Sequence, residues 1–303
     1  MMSTLRRTAA PFGLVAALFT GCGPQRVAAP VADTAAAARI RESLQGSPAG
    51  TASAAAEGGA AASTGTGWAT LKGRFVFAGD AGQPKPLVID KDTEVCGAAA
   101  KLFDRSLRVD SASKGLADVV VFVRKASRVK EAVTAEAGAE QVVIFDQKNC
   151  EFLAPVFVGR VGRPIDIRNS DPVGHNTNID GTSFNQLIPA GQGTAYTPDS
   201  EMGVPRAVTC NIHPWMKAYM LVRKDGYAAV SVADGSFQIA DLPAGEPLEF
   251  QVWHARATGS GGGVILARPE LKWNPKGRFT ITLEADEVKD LGALEVPAGA
   301  IGT

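Results

Sequence analysis

The chain has 303 residues, of which 45% are hydrophobic, and its 31 Lys and Arg balance 31 Asp and Glu. This length favours two domains. The charge balance provides no global field that would attract nucleic acid or anionic lipid, so we expect no nucleic-acid partner. Short alternating runs of Val, Ile, Thr and Phe are separated by many of the 33 Gly and 18 Pro. This pattern predicts an all-β fold with many turns.

Residues 1–21 are predicted to be a signal peptide. Two arginines precede an apolar run, Pro11–Gly21, which is too short to span a bilayer, since a span needs ~20 residues. The run ends in Leu18-Phe19-Thr20-Gly21-Cys22, which resembles a bacterial lipobox and implies lipidation of Cys22. More than one acyl chain on Cys22 would anchor the protein stably to a membrane. The alternative is an ordinary secretory signal in which Cys22 is incidental, and either reading exports the chain.

Residues 22–67 are predicted to be a disordered, lipid-anchored linker, because their Ala, Gly, Ser and Thr cannot bury enough apolar surface to fold. Gly23 after Cys22 fits an outer-membrane anchor, so we expect a periplasmic or cell-surface location.

A first folded domain is predicted for residues 68–224. Its strands are expected at Ala69–Phe77, Leu107–Val109, Asp118–Arg124, Gln141–Phe145, Phe152–Val158, Pro164–Arg168, Gly193–Thr197, Ala207–Cys210 and Ala218–Arg223.

Two features of this domain are specific. The run from Asp118 to Val123 is apolar after its first residue, which predicts a central strand covered on both faces. A turn is expected over Asp171–His175, directly before Asn176.

A second domain is predicted for residues 225–303. Strands are expected at Gly226–Val232, Gly235–Ile239, Leu248–Trp253, Arg278–Leu283 and Gly292–Val296. The turns Asp234-Gly235 and Pro243-Ala-Gly245 resemble those of carboxypeptidase regulatory-like (transthyretin-like) β-sandwich modules. That resemblance implies a second small β-sandwich serving as a spacer or a partner-binding platform.

The stretch Cys210-Asn-Ile-His213-Pro-Trp-Met216 carries the strongest chemical signal. The chain has only 3 His and 5 Met, so His at +3 and Met at +6 from a Cys arises by chance about once in a thousand such chains. A thiolate, an imidazole and a thioether are soft ligands that suit copper. His175, followed by Asn176, offers a second imidazole.

This spacing, together with His-Asn after an Asn/Asp/Pro turn, resembles the short-loop cupredoxins, a family of type 1 blue-copper proteins. The resemblance covers roughly Trp68–Arg223 and implies a Greek-key sandwich with one copper ion. His175, Cys210 and His213 would form the trigonal ligand set, with Met216 as the long axial ligand. Asn176 would brace the site through the backbone near Cys210 or through Thr209. His213 is expected to face solvent, with Pro214 and Trp215 forming an apolar rim where protein redox partners dock transiently.

The remaining cysteines, Cys96 and Cys150, form an even pair in an oxidising compartment, which predicts a disulfide. Two buried thiols are the alternative. His254, the third histidine, is expected to be a structural residue at a strand end.

Other readings stay open at this point. Structural zinc would use Cys and His but not Met, and Met216 could be a core residue only. Copper oxidases and copper nitrite reductases need several more histidines, so we expect no enzyme activity. The predicted function is the transfer of single electrons at the cell envelope. The alternatives are a surface binding or adhesion protein, carbohydrate-directed in one version, and a protein that sequesters or delivers copper.

Overall fold

The computed structural model describes residues 65–98, 101–130 and 142–302. These residues belong to one compact unit. The predictions for the signal peptide, for Cys22 and for the linker up to residue 64 lie outside the described residues. Among the described helices, none is long and apolar enough to cross a membrane.

The fold is all-β, as the sequence predicts. Its only described α-helix, α1 (Thr93–Cys96), is a single turn, and 3₁₀ turns occur at Ser260–Gly262, Pro269–Leu271 and Ala298–Ala300. The strands in chain order are β1 (Trp68–Ala78), β2 (Val120–Val123), β3 (Val143–Lys148), β4 (Glu151–Phe152), β5 (Val156–Arg160), β6 (Ile165–Asn169), β7 (His175–Ile179), β8 (Asn185–Ile188), β9 (Gly193–Tyr196), β10 (Arg206–Thr209), β11 (Lys217–Arg223), β12 (Ala228–Val230), β13 (Ser236–Pro243), β14 (Pro247–Trp253), β15 (Arg278–Thr282) and β16 (Val288–Pro297).

The strands form two sandwiches. The central sandwich comprises β3 to β11, in sheets of order β4-β3-β6-β9 and β5-β11-β10-β7-β8. The terminal sandwich comprises β1, β2 and β12 to β16, in sheets of order β13-β1-β16 and β12-β2-β14-β15. Each sandwich encloses its own apolar core, with Phe145 and Ile165 in the central one and Phe75 and Phe250 in the terminal one.

Strand β2 contributes to both cores. Val121 and Val123 point into the terminal core, whereas Val120 and Phe122 point into the central core. All four residues are fully buried. The prediction of a central strand covered on both faces is therefore confirmed, and the physical reason is that successive side chains of a strand point to opposite sides.

The sheets do not follow the sequence boundary between residues 224 and 225. Strand β1 pairs with β13 and β16, and β2 pairs with β12 and β14. Both β1 and β2 thus precede the central sandwich in sequence but complete the terminal one, and the predicted domain of residues 68–224 is not a separate set of sheets. Local alternation predicts that a strand exists, but it does not specify the distant strand with which it pairs.

The region around His175 also differs from expectation. A turn was expected to reach His175, but the residue opens β7, which pairs with β8 and β10. The sequence indicates neither β7 nor β8, because Asn, Gln and His make up most of these short segments and Asn is depleted in strands. The predicted strand Leu107–Val109 is reduced to one bridge between Val109 and Leu116.

The predicted disulfide between Cys96 and Cys150 is present, with a Cα–Cα distance of 5.3 Å and a sequence separation of 54. It fastens α1 to the turn between β3 and β4. On the chain-entropy model, closing a loop of this length contributes about 4 kcal/mol to the free energy of unfolding.

This architecture predicts that a fragment of residues 68–224 does not fold by itself. Strand β1 would lose both of its neighbours, which leaves Leu71, Phe75 and Phe77 without the partners that bury them. We expect poorly dispersed amide NMR signals and no cooperative thermal transition, in contrast to a matched chain of residues 65–303. Native-like dispersion in the fragment would contradict the shared-strand architecture.

Candidate metal centre

The loop between β10 and β11 is short and internally bonded. It connects antiparallel neighbours, since Thr209 pairs with Lys217. The Cys210 amide donates to the Met216 carbonyl at 3.3 Å, and the Met216 amide donates to the His213 carbonyl at 2.9 Å. These bonds fold the loop inward, so that the side chains of Cys210, His213 and Met216 are at most 2% exposed.

Strand β7 brings a second imidazole to this loop. His175 is fully buried, and its Nδ1 lies 2.8 Å from Nδ1 of His213. The Cys210 Sγ lies 3.8 Å from the same His213 nitrogen. The potential ligand atoms of His175, Cys210 and His213 all lie within 4.8 Å of one another. The structure therefore brings these three side chains together and places Met216 on the same buried loop.

Each imidazole is hydrogen-bonded to a carboxylate through Nε2, the ring nitrogen that faces away from the cluster. His175 Nε2 lies 2.7 Å from Oδ2 of Asp171, and His213 Nε2 lies 2.8 Å from Oδ2 of Asp92. Sequence reasoning identified neither aspartate. Asp171 belongs to the turn that precedes His175 and could have been noticed there. Asp92 lies 121 residues before His213, and no local signal connects the two.

These contacts orient the two rings. A carboxylate oxygen accepts hydrogen bonds, so each Nε2 is placed to donate to its aspartate and each Nδ1 is directed into the cluster. The two Nδ1 atoms lie 2.8 Å apart, where they can share a proton or bind one metal ion together. The arrangement therefore fits a metal ion bound through both Nδ1 atoms.

The Cys210 sulfur is prepared for the same role. It accepts hydrogen bonds from the backbone amides of Asn176 and His213, each at 3.4 Å. These two N–H donors fix the position of the sulfur beside the His213 ring. Burial lowers the pKa of His175, although its hydrogen bond to the Asp171 carboxylate opposes that effect. The neutral ring that a metal requires is therefore favoured.

Asn176 connects β7 to the loop. Its Oδ1 accepts a hydrogen bond from the Asn211 amide, and its Nδ2 donates to Oδ1 of Asn185 at 2.5 Å. Of the two partners considered from the sequence, the structure uses the backbone beside Cys210. Thr209 lies in β10 and pairs with Asn178 of β7, so it contributes to the sheet that supports the loop.

The expectation that His213 faces solvent is wrong. Its side chain is fully buried, beneath Asp92 on one edge and beside Trp215, whose ring centroid lies 5.1 Å away. Trp215 is itself fixed by a hydrogen bond from its Nε1 to the Cys150 carbonyl at 3.1 Å. The physical reason is that the segment containing Asp92 and α1 folds over the loop. Pro214 is exposed and Trp215 is half-buried.

Asp171 also organises the turn beneath the site. Its carboxylate accepts the backbone amides of Asn149 and Cys150, at 2.6 and 2.7 Å. Both residues adopt left-handed backbone conformations, with φ of 56° and 55°, which are uncommon outside glycine. Asp171 thus stabilises the turn that carries Cys150 while it orients His175. Because Cys150 is disulfide-bonded, it is not available as a ligand.

His254 lies outside this cluster. It follows β14 and is 1% exposed, and its Nδ1 accepts a hydrogen bond from the Arg256 amide at 3.2 Å. Burial lowers the pKa of His254 to about 4, and Arg256 acts in the same direction. His254 is therefore a neutral side chain of the interior at ordinary pH.

Solved structures with some likeness to this chain include copper proteins. Amicyanin from Paracoccus versutus is 17% identical over 34% of this chain and 97% of its own, with a TM-score of 0.25. A reduced Cu(I) form of an amicyanin mutant is 18% identical over 29% of this chain and 89% of its own, with the same TM-score. A Cu-containing nitrite reductase from Thermus scotoductus is 19% identical over 28% of this chain and 24% of its own, again at 0.25. No protein-family model and no curated protein matches the sequence.

The contacts of Asp171 predict that Asp171→Asn destabilises the metal-free protein. The amide of Asn would direct its own N–H toward one of the backbone or imidazole N–H groups that now donate to the carboxylate. Two donors would then face each other, so we expect a loss of about 2–3 kcal/mol in the free energy of unfolding. Urea unfolding measures it. Asp166→Asn is the control, because Asp166 forms a surface ion pair with Arg168. Its substitution should cost at most ~1 kcal/mol. Equal effects of the two substitutions would argue against this role.

The lowered pKa of His254 predicts a pH-dependent loss of stability. The folded pKa of about 4 lies below the ordinary value of 6.5, so the unfolded state binds the proton first as the pH falls. The contribution of neutral His254 to the free energy of unfolding is fully present above pH 6.5. It should decrease by about 3 kcal/mol as the pH falls to about 4. Urea unfolding of the wild type and of His254→Gln should diverge over this range, and parallel pH profiles would refute the assignment.

Proposed function

We propose that the protein binds one copper ion in a type 1 site and carries single electrons between redox partners. His175, Cys210 and His213 would hold the ion, with the Met216 thioether as a weak fourth ligand. The observation that carries the proposal is the convergence of three donor atoms. The two imidazole Nδ1 atoms lie 2.8 Å apart, and the Cys210 sulfur lies 3.8 Å from Nδ1 of His213. A copper ion at this position would be bound by all three.

The donor set favours copper over zinc. Two imidazoles and one thiolate with a thioether nearby are the ligands of electron-transfer copper sites. Structural zinc generally takes a fourth thiolate, imidazole or carboxylate ligand. In the described part of the chain, the nearest carboxylates, Asp92 and Asp171, are engaged by the imidazoles on the sides away from the cluster. When bound, copper would supply a one-electron couple.

The surrounding residues would keep the ligand geometry constant during electron transfer. Asp171 fixes the orientation of the His175 ring, and the amides of Asn176 and His213 fix the position of the Cys210 sulfur. The ligands therefore have little freedom to rearrange when the charge of the site changes. Complete burial of both imidazoles excludes bulk water from the ligand atoms.

A carrier is favoured over an enzyme by the histidine count. Catalytic copper ions would need further imidazoles, and the chain has only 3 His. The third, His254, is buried away from the cluster with its Nδ1 already bonded. We therefore infer that the chain is not a copper nitrite reductase or oxidase.

The proposed setting is the cell envelope. A signal peptide and a lipidated Cys22 would place the folded part outside the cytoplasm, held by the linker near a membrane. Redox partners would dock transiently over Pro214 and Trp215, the accessible part of the loop, since His213 itself is covered.

The proposal predicts colour. Loading the folded protein with one Cu(II) should produce an intense thiolate-to-copper absorption near ~600 nm, as expected for a His₂Cys site. Cys210→Ser should abolish the band, and His254→Gln should preserve it. Cyclic voltammetry should then show a reversible one-electron couple.

Each outcome separates the candidate functions. A colourless Cu(II) complex, or colour that persists in Cys210→Ser, would overturn a type 1 site. A blue protein without a reversible couple would favour copper sequestration, and failure to bind copper at all would favour the non-redox binding protein.

A further inference from the structure

Asp92 stands apart from the other contacts of the candidate centre, because it reaches the site from a segment remote in sequence. Its carboxylate bonds Nε2 of His213 at 2.8 Å, while the His213 ring is fully buried. The Asp92 side chain is 43% exposed. Asp92 is therefore the group that closes the outer edge of His213, in the place where sequence reasoning expected solvent.

The backbone around Asp92 is built to present this carboxylate. Asp92 adopts a left-handed conformation, with φ of 46° and ψ of 42°, directly before α1. Its carbonyl accepts the amides of Val95 and Cys96, at 2.9 and 2.7 Å. Cys96 is buried and disulfide-bonded to Cys150. The position of Asp92 is thus fixed by a helical turn and a covalent crosslink four residues away.

The same crosslink connects the two carboxylates of the site. The Cys150 amide donates to Oδ2 of Asp171, the oxygen that also holds His175. The Cys96–Cys150 disulfide therefore connects the segments that carry the two carboxylates. Asp92 bonds His213, and Asp171 bonds His175. Both rings of the cluster are consequently oriented by carboxylates from outside the ligand loop, which is residues 210–216 between β10 and β11.

On the premise that the centre binds copper as proposed above, we propose that Asp92 is a positioning residue for His213 that favours oxidised over reduced copper. A carboxylate that accepts the Nε2 proton makes Nδ1 a stronger donor and fixes the ring plane. A stronger donor stabilises the more highly charged ion to a greater extent. Its negative charge acts in the same direction through Coulomb attraction.

The test compares Asp92→Asn and Asp92→Gly with Glu94→Gln. Asn keeps a hydrogen-bond acceptor and tolerates the left-handed backbone, as does Gly, so neither substitution strains the turn. Asn removes the charge alone, whereas Gly removes charge and acceptor together. Glu94 is exposed in the same helical turn and controls for a general change in surface charge.

We expect Asp92→Asn to weaken Cu(II) binding about tenfold in chelator competition, with less change in Cu(I) binding. A tenfold preferential loss for Cu(II) raises the reduction potential by ~59 mV. Asp92→Gly should weaken Cu(II) binding further and should also alter the Cu(II) EPR spectrum, because the His213 ring loses its fixed orientation. Glu94→Gln should stay within about twofold of the wild type in both affinities.

The possible failures are distinguishable. If the wild type forms no blue site, the proposed function fails. If the wild type is blue and both Asp92 variants match Glu94→Gln in Cu(II) affinity and potential, the positioning role of Asp92 is wrong and the copper assignment stands. Thermal melting of the metal-free variants shows whether an altered affinity accompanies unfolding. An equal loss of affinity for Cu(I) and for Cu(II) would also overturn the proposal, because it would indicate that the contact between Asp92 and His213 is only structural.

Discussion

The convergence of two buried imidazole nitrogens on one point is the constraint around which the candidate site is organised. Asp171 and Asp92 each accept a hydrogen bond from Nε2 of one histidine, and both Nδ1 atoms are thereby directed at each other. In a low-dielectric interior two such nitrogens need a hydrogen-bond or metal partner. A shared proton or a bound metal ion supplies it, so the surrounding hydrogen bonds present both nitrogens to one common partner.

The rest of the fold holds this arrangement in place. The ligand loop connects two paired strands, β10 and β11, and His175 enters from β7 on the other side of β10. That sheet packs over a core to which β2 contributes Val120 and Phe122. The opposite face of β2 is buried in the core of the terminal sandwich. Strand β2 is therefore packed on both faces.

Burial of His213 changes how electrons would reach the proposed copper. Access by direct contact with an exposed imidazole edge is excluded, since Asp92 covers Nε2. The accessible neighbours are Pro214 and the half-buried Trp215, whose ring lies next to that of His213. A partner protein would therefore approach the side of the ligand loop, and Asp92 would separate the imidazole edge from water.

The sequence by itself determined the features that depend on composition and short spacing. Alternating runs predicted the all-β class, the uninterrupted apolar run from Val119 to Val123 predicted a strand buried on both faces, and the even pair of Cys96 and Cys150 predicted their disulfide. The Cys210, His213 and Met216 spacing identified the candidate ligand loop, because three residues on one tight turn are close in space whatever the rest of the chain does.

Only the tertiary structure decided the features that depend on distant segments. Strand β1 joins β13 and β16 because long-range pairing, not local pattern, selects the partners of a strand. Asn-rich β7 is a strand because its backbone pairs with β8 and β10, and Asn176 is bonded to the backbone beside Cys210. Asp92 reaches His213 across 121 residues because a disulfide fastens its segment there. Spacing in the sequence cannot reveal such a contact, since its geometry exists only once both sandwiches have formed.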